Sequence, residues 1–316
     1  MLFSIIVPVF NRPKEIDELL ESLTKQTCTD FEVLVIEDGS VNRCQEIVHR
    51  YQDRLEIRYF EKPNSGQGFS RNYGFERALG EYLVVFDSDC LIPPHYFETV
   101  KQALRVEPFD AWGGPDRAHS SFTRLQRAIN YSMTSPLTTG GIRGDIRMAD
   151  TWHPRSFNMG IHRTVYRATG GYERTRKGED LDLSIRIREA GYRIRLLSDA
   201  WVYHRRRDTL GRFVRQLHFF GRARVSIKRK HPDSFRWIHL LPTLFLFYLL
   251  TALISVFPFK SLWPLGPYFV WAVCLFLHAG WRKESLPVSL FAIVTSTLQL
   301  VSYGTGVLQE WIRGEP

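Results

Sequence analysis

The stretch Glu81-Tyr82-Leu83-Val84-Val85-Phe86-Asp87-Ser88-Asp89 decides the fold. Its apolar, β-branched and aromatic run has the composition of a buried strand, and it ends in two carboxylates one residue apart. Behind them, Cys90-Leu91-Ile92-Pro93-Pro94 carries prolines with no amide hydrogen to give a ladder, so pairing is expected to stop there. A buried strand that delivers acids to its C-terminal edge suits an open parallel sheet, whose ligands bind at that edge. Carboxylate oxygens are the donors that hard cations such as Mg²⁺ and Mn²⁺ prefer, although acids are also common in plain turns.

Toward the N-terminus, Phe3 to Val9 is a short apolar run of the kind buried on both faces of a parallel sheet. Pro13 to about Gln26 spaces Ile16, Leu19, Leu20 and Leu23 along one helical face, with Pro13 tolerated in the first turn. Phe31 to Ile36 is a second strand ending in Glu37-Asp38-Gly39-Ser40, which completes a βαβ unit and brings another acid to the same edge. A helix over about 42–51 and a strand over 55–60 lead to Lys62-Pro63-Asn64-Ser65-Gly66-Gln67-Gly68. Arg71 stands where a dinucleotide fingerprint needs its third glycine, which argues against that class. Glycines followed by an arginine at a helix start still suit a phosphate or nucleotide.

Downstream, helices are expected over 95–105 and 122–133, a short strand at Trp112-Gly113, and a Gly- and Thr-rich loop over 135–150 that could act as a flap. Gly178-Glu179-Asp180 opens a periodic helix closed by Gly191. The helix dipole accounts for one acid there. Strands over 193–197 and 200–203 follow, and His204 ends the second. A solitary histidine is usually structural, yet one at a strand end facing carboxylates is a metal candidate.

The 316 residues are 44% hydrophobic and 24% charged, with a formal net charge of +9. The mean hydropathy of −0.20 blends two materials, because three long apolar stretches follow about His231: 238–257, 265–280 and 286–308. The first and third approach the roughly 20 residues a bilayer requires, and the middle one is short enough to be re-entrant or interfacial. Trp237, Trp263, Tyr268, Trp281 and Trp311 lie near their ends, as interfacial aromatics do. Basic residues crowd into 205–231, from Arg205-Arg206-Arg207 to Lys228-Arg229-Lys230, immediately before the first apolar stretch. That position favours lipid headgroups over nucleic acid and places this face in the cytoplasm. Four scattered cysteines give neither a disulfide framework nor a zinc site, and the N-terminus has no secretory pattern. A catalytic domain over 1–231 and a membrane region over 232–316 are expected, at the inner or cytoplasmic membrane.

In order, Ser4 to Asn11, Val35 to Ser40, Ser70 to Gly74, Phe86 to Asp89, Asn158-Met159-Gly160, Gly178-Glu179-Asp180 and His204 resemble the inverting glycosyltransferases of family 2, with the GT-A fold. The resemblance spans roughly Phe3 to Arg224. It implies an α/β fold with a Rossmann-like, mixed and mostly parallel sheet flanked by helices, followed here by C-terminal transmembrane helices. It implies a nucleotide-sugar donor, with Asp38 at the base, Pro8 and Phe10 lining the same pocket, and Arg71 near the diphosphate. Asp89 is implied as the ligand of Mg²⁺ or Mn²⁺, Asp87 as the partner of the sugar or ribose with a share in the metal, and His204 as completing the site. Asn158 and Gly160 fall in the segment beneath the sugar, Asp180 matches the general base, and Glu179 would assist or bind the acceptor. Processive relatives carry Gln-x-x-Arg-Trp, whereas Gln216 here has no Arg-Trp behind it, which argues for adding one sugar or a few. The membrane tail points to a lipid-linked glycan or glycolipid as acceptor. A nucleotidyltransferase would need a glycine-rich loop that Asn11-Arg12-Pro13 does not supply, and the intact acids speak against a non-catalytic sugar-nucleotide-binding membrane protein.

Overall fold

A computed structural model describes residues 1–139, 152–173 and 178–314. The strands are β1 (Phe3–Val9), β2 (Phe31–Asp38), β3 (Ile57–Lys62), β4 (Tyr82–Val85), β5 (Cys90–Leu91), β6 (Ala111–Gly113), β7 (Asp116–Arg117), β8 (Met159–His162), β9 (Ile194–Leu196) and β10 (Val202–His204). The helices are α1 (Pro13–Leu23), α2 (Gln45–His49), α3 (Gln67–Arg77), α4 (Tyr96–Val106), α5 (Arg124–Thr134), α6 (Pro136–Thr139), α7 (Arg163–Thr169) and α8 (Glu179–Glu189). They continue with α9 (Leu210–Lys230), α10 (Leu241–Phe259), α11 (Gly266–Trp281) and α12 (Leu286–Arg313).

The chain divides into two compact units. The first runs from Met1 to His119 and resumes up to Arg205. Its main sheet has the order β3-β2-β1-β4-β8-β6-β9, parallel except at β8, which pairs antiparallel with β4 and β6. The apolar run of β1 alternates between two cores. Ile5 and Val7 pack with Val35, Leu19 and Phe97, while Ile6 packs with Leu34, Phe75 and Leu183. The mixed, mostly parallel sheet flanked by helices is therefore as expected.

Two boundaries differ, with consequences for the site. The ladder of β4 ends at Val85, and the chain resumes pairing at Cys90–Leu91, ahead of the prolines, in a small sheet of order β5-β10-β7. Helix α3 begins at Gln67, so Arg71 lies a turn inside it rather than at its start. The flap expected over 135–150 contains the short α6, and its remainder lies outside the described residues.

The second unit holds α5, α6 and α9 to α12, its two segments beginning at Ser120 and Arg206. Helix α12 packs against α9, α5, α10 and α11. Glu310 is buried on α12 and accepts from Arg222 Nε at 2.8 Å and Ser226 Oγ at 3.0 Å. Arg206 is likewise buried, with its guanidinium on Asn130 Oδ1. Part of the basic segment is thus paired within the protein itself. Two helical stretches, Trp237–Phe259 and Leu286–Arg313, are long and apolar enough to cross a membrane, whereas the 16-residue α11 is not. Leu244, Phe247, Ile254 and Phe257 on α10 are exposed, as lipid-facing side chains would be.

Close approach of α9 and α12 depends on Gly306. A Cβ there would stand 2.9 Å from the carbonyl carbon of His218 and 3.2 Å from Arg222 N. Gly306→Leu is expected to destabilise the full chain by about 3 kcal/mol through overpacking, read as a lowered melting temperature in detergent. Gly280→Ala, where nothing lies within 4 Å, should leave it unchanged.

Candidate active site

The site of the first unit starts from the change of sheet after β4. Because β5 pairs antiparallel with β10, Cys90 lies opposite His204, and Arg205 N–H donates to the Asp89 carbonyl at 3.1 Å. His204 Nε2 consequently stands 3.2 Å from Asp89 Oδ1 and 4.0 Å from Asp87 Oδ2. The imidazole stacks on Phe157 with ring centroids 4.6 Å apart, which fixes its plane. The other Asp89 oxygen, Oδ2, accepts from Arg12. Burial pushes the Asp89 carboxyl up, but His204 and Arg12 outweigh it and hold the group below the usual carboxylate range.

The donor set fits a hard cation. Asp89 Oδ1 is buried and accepts no hydrogen bond, although His204 Nε2 stands 3.2 Å away. Ligand atoms of Asp89, Cys90 and His204 all lie within 4.8 Å of one another. Burial, with Asp89 and Asp87 adding to it, raises the Cys90 thiol well above its ordinary value, so it stays protonated and donates poorly to a metal. The carboxylate oxygen and imidazole nitrogen remain, donors compatible with Mg²⁺ or Mn²⁺. Asp87, expected to share the metal, has its Oδ1 on Arg71 and only its Oδ2 turned toward His204.

Arg71 is 1% exposed and joins two acids, donating to Asp87 Oδ1 at 2.9 Å and to Glu179 Oε1 at 2.7 Å. Tyr172 lies under the guanidinium, 5.0 Å from ring centroid to Cζ. Arg71, implied by the resemblance to lie near the diphosphate, meets these two carboxylates in the structure. The two helix-opening acids also part ways. Gly178 at φ 73° turns the chain into α8, which sends Glu179 inward to Arg71 while Asp180 keeps 21% of its side chain exposed. Asp180 accepts from Leu181 N at 2.9 Å and faces Arg155 at 3.4 Å. Burial raises the Glu179 carboxyl, opposed by Arg71. Glu179 is thus buried and ion-paired to Arg71, whereas Asp180 stays partly open.

At the end of β2, Asp38 is buried and held by Lys62, by Ser65 N and Gly66 N at 2.9 Å each, and its own carbonyl accepts from Asn64 Nδ2 at 2.8 Å. Both carboxylate oxygens are committed to shaping the loop before α3. Burial raises this carboxyl, but Lys62 and the loop amides outweigh it and lower the group overall. A lowered folded value means stability present above the unfolded value, near 4, and lost as pH falls through the lower folded one. Asp38→Asn should therefore cost about 3 kcal/mol at pH 7, by leaving Lys62 unpaired, and flatten the acid limb of the stability profile in denaturant titrations.

Asn158 and Gly160, expected in the segment beneath the sugar, both lie in the core. Asn158 is fully buried, accepting from Tyr96 Oη at 2.6 Å and donating to the Ala200 carbonyl at 2.8 Å, so its amide is spent in the core. Gly160 lies under the ring of Trp112, which leaves no room for a Cβ. Both help build the floor of the site. Pro8 is half-buried near the end of β1, and Phe10 stands just beyond it, 50% exposed. Sequence reasoning missed Arg12 and Arg155. The signal for Arg12 was its place just beyond β1, the parallel neighbour of β4 with Ile6 beside Val85.

A parallel sheet with one reversed strand, acids beyond two strand ends and an acid pair opening a facing helix define the GT-A architecture. The family model for glycosyl transferase family 2 matches residues 4–170, more than half of the chain, and the chain belongs to that family. It is 41% identical over 128 residues to an uncharacterized glycosyltransferase of Rickettsia felis, covering 40% of this chain and 20% of the relative. It is 40% identical over 107 residues to the poly(ribitol-phosphate) β-N-acetylglucosaminyltransferase TarS of Staphylococcus aureus, covering 33% and 18%. The chain thus spans about a fifth of these relatives' length. Among solved structures, the mannosyltransferase PcManGT of Pyrobaculum calidifontis, in complex with GDP-Man and Mn²⁺, superposes with a TM-score of 0.68 at 18% identity, over 99% of this chain and 88% of that one. TarS 1-349 with UDP-GlcNAc gives 0.52 at 21% identity, over 100% and 93%.

Proposed function

We propose that the chain is a membrane-anchored, metal-assisted, inverting glycosyltransferase that moves one sugar from a nucleotide-diphosphate sugar to a hydroxyl of a lipid-linked glycan or glycolipid. The observation that carries this reading is Arg71, which ties the acid after β4 to the acid pair opening α8 and so joins a donor side to an acceptor side. Asp89 and His204 would hold Mg²⁺ or Mn²⁺, with Asp87 beside them. A bound divalent ion offsets the negative charge that grows on a departing nucleotide diphosphate. Phe10 offers an open aromatic face to the base next to Pro8, while Asp38 shapes that pocket through Lys62 and Gly66. Asp180, partly open and free of the Arg71 pairing, takes the proton from the acceptor hydroxyl as it attacks the face opposite the leaving group. One in-line displacement inverts the anomeric centre.

The nucleotide sugars and Mn²⁺ of the two neighbouring structures support the donor class and the ion. Two candidate spans support a membrane location, which suits a lipid-borne acceptor, and the basic residues before the first span support a cytoplasmic catalytic unit. A panel of sugar nucleotides tests the reading: release of nucleoside diphosphate should be abolished by chelation and restored by Mn²⁺, with inverted configuration in the product. Pyrophosphate release from a nucleoside triphosphate would instead indicate nucleotidyl transfer, and a retained configuration would refute the single displacement.

A further inference from the structure

We infer that Arg12 makes metal binding conditional on the nucleotide diphosphate, by occupying the oxygen of Asp89 that faces away from His204. The inference rests on the metal reading of Asp89 and His204 given above. Arg12 donates to Asp89 Oδ2, which leaves Oδ1 as the carboxylate oxygen beside the imidazole. The placement is built by the backbone and does not depend on a free side chain settling on an acid. Asn11 takes the left-handed region at φ 52°. Its N–H donates to Ser40 Oγ at 2.7 Å, and its Oδ1 accepts from Val41 N at 2.9 Å and Asn42 N at 3.0 Å. Pro13 then opens α1 with its φ fixed. Arg12 is pinned between a left-handed residue and a proline, pointing at Asp89.

Charge arithmetic gives the consequence. A divalent ion on Asp89 Oδ1 would share its carboxylate with a permanent cation, and like charges a few ångströms apart in a partly buried site repel. A nucleotide diphosphate removes that conflict, since its negative charge meets the ion and the guanidinium together, and the arginine fork matches phosphate oxygens. Metal alone is therefore held weakly, and metal with nucleotide diphosphate is held well. By linkage the metal raises nucleotide affinity by the same factor.

Binding of Mn²⁺ to the full chain in detergent, read from the EPR signal of free Mn²⁺ and corrected for Mn²⁺ held by free nucleotide, tests this without turnover. The titration is run alone, with UDP and with GDP. Wild type should bind Mn²⁺ about tenfold or more tightly with the accepted nucleotide than without. Arg12→Gln should bind Mn²⁺ alone about fivefold more tightly than wild type, with its ratio falling toward one, while Arg12→Lys keeps most of the ratio. An unchanged ratio in Arg12→Gln, or weaker binding of Mn²⁺ alone, overturns the inference and leaves the metal reading standing. Failure of wild type to bind Mn²⁺ any better than Asp89→Ala, with or without nucleotide, overturns both.

Discussion

Asp180→Asn is expected to lower kcat by about 10²- to 10⁴-fold, the range by which a positioned general base contributes, with the KM for donor little changed. The substitution preserves shape, and an asparagine Oδ1 still accepts from Leu181 N at the start of α8. The contact with Leu181 N and the packing are thereby maintained. The side chain is 21% exposed and Arg155 stands 3.4 Å away, so the loss of that pair should cost less than about 1 kcal/mol. A large rate loss with a near-normal melting temperature is the signature of a proton acceptor. Glu179→Gln should behave in the opposite sense. Glu179 is buried on Arg71, so its replacement should lower the melting temperature and affect activity through the position of Asp87. Wild-type turnover in Asp180→Asn would reduce the acid to its role at the helix dipole and remove the base assignment.

The contrast between these two neighbours marks how far the chain could be read unaided. Runs such as Phe3–Val9 and Phe31–Asp38 announce their strands because a doubly covered strand needs apolar residues at every position, and that pattern is local. Acids at strand ends are legible for the same reason. What Glu179 and Asp180 do individually is not, because one inward and one outward direction is set by the left-handed Gly178 and by a buried arginine distant in sequence. The pairing of Cys90 with His204 is likewise a long-range event that no periodicity records. Asn158 and Gly160 lie in a motif that the resemblance places beneath the sugar. Their actual constraints, Tyr96 with Ala200 and the ring of Trp112, come from three other segments. The site was legible as a set of residues, and its division into open groups and buried, paired groups required the packing.

Arg71→Met should destabilise the chain by about 3–5 kcal/mol and abolish measurable transfer, the largest stability effect expected in this unit. The guanidinium is 1% exposed and is the common partner of Asp87 and Glu179, so methionine fills the volume but leaves Glu179 a buried charge without its cation. Arg71→Lys should recover little, since one ammonium cannot reproduce two directed contacts at 2.7 and 2.9 Å on separate carboxylates. The pH dependence follows from the direction already present. Burial raises the Glu179 carboxyl even with Arg71 in place, and removing that opposing cation raises it further. A group whose folded value lies above its unfolded one binds protons more tightly when folded, so stability grows as pH falls. The deficit of Arg71→Met should accordingly be largest at neutral pH and shrink toward acid, as read from denaturant midpoints across pH. The double variant Arg71→Met with Glu179→Gln should be more stable than Arg71→Met alone at pH 7, because the orphaned charge is gone. A double variant no more stable than the single one would show that the loss comes from packing against Tyr172 rather than from the unpaired acid.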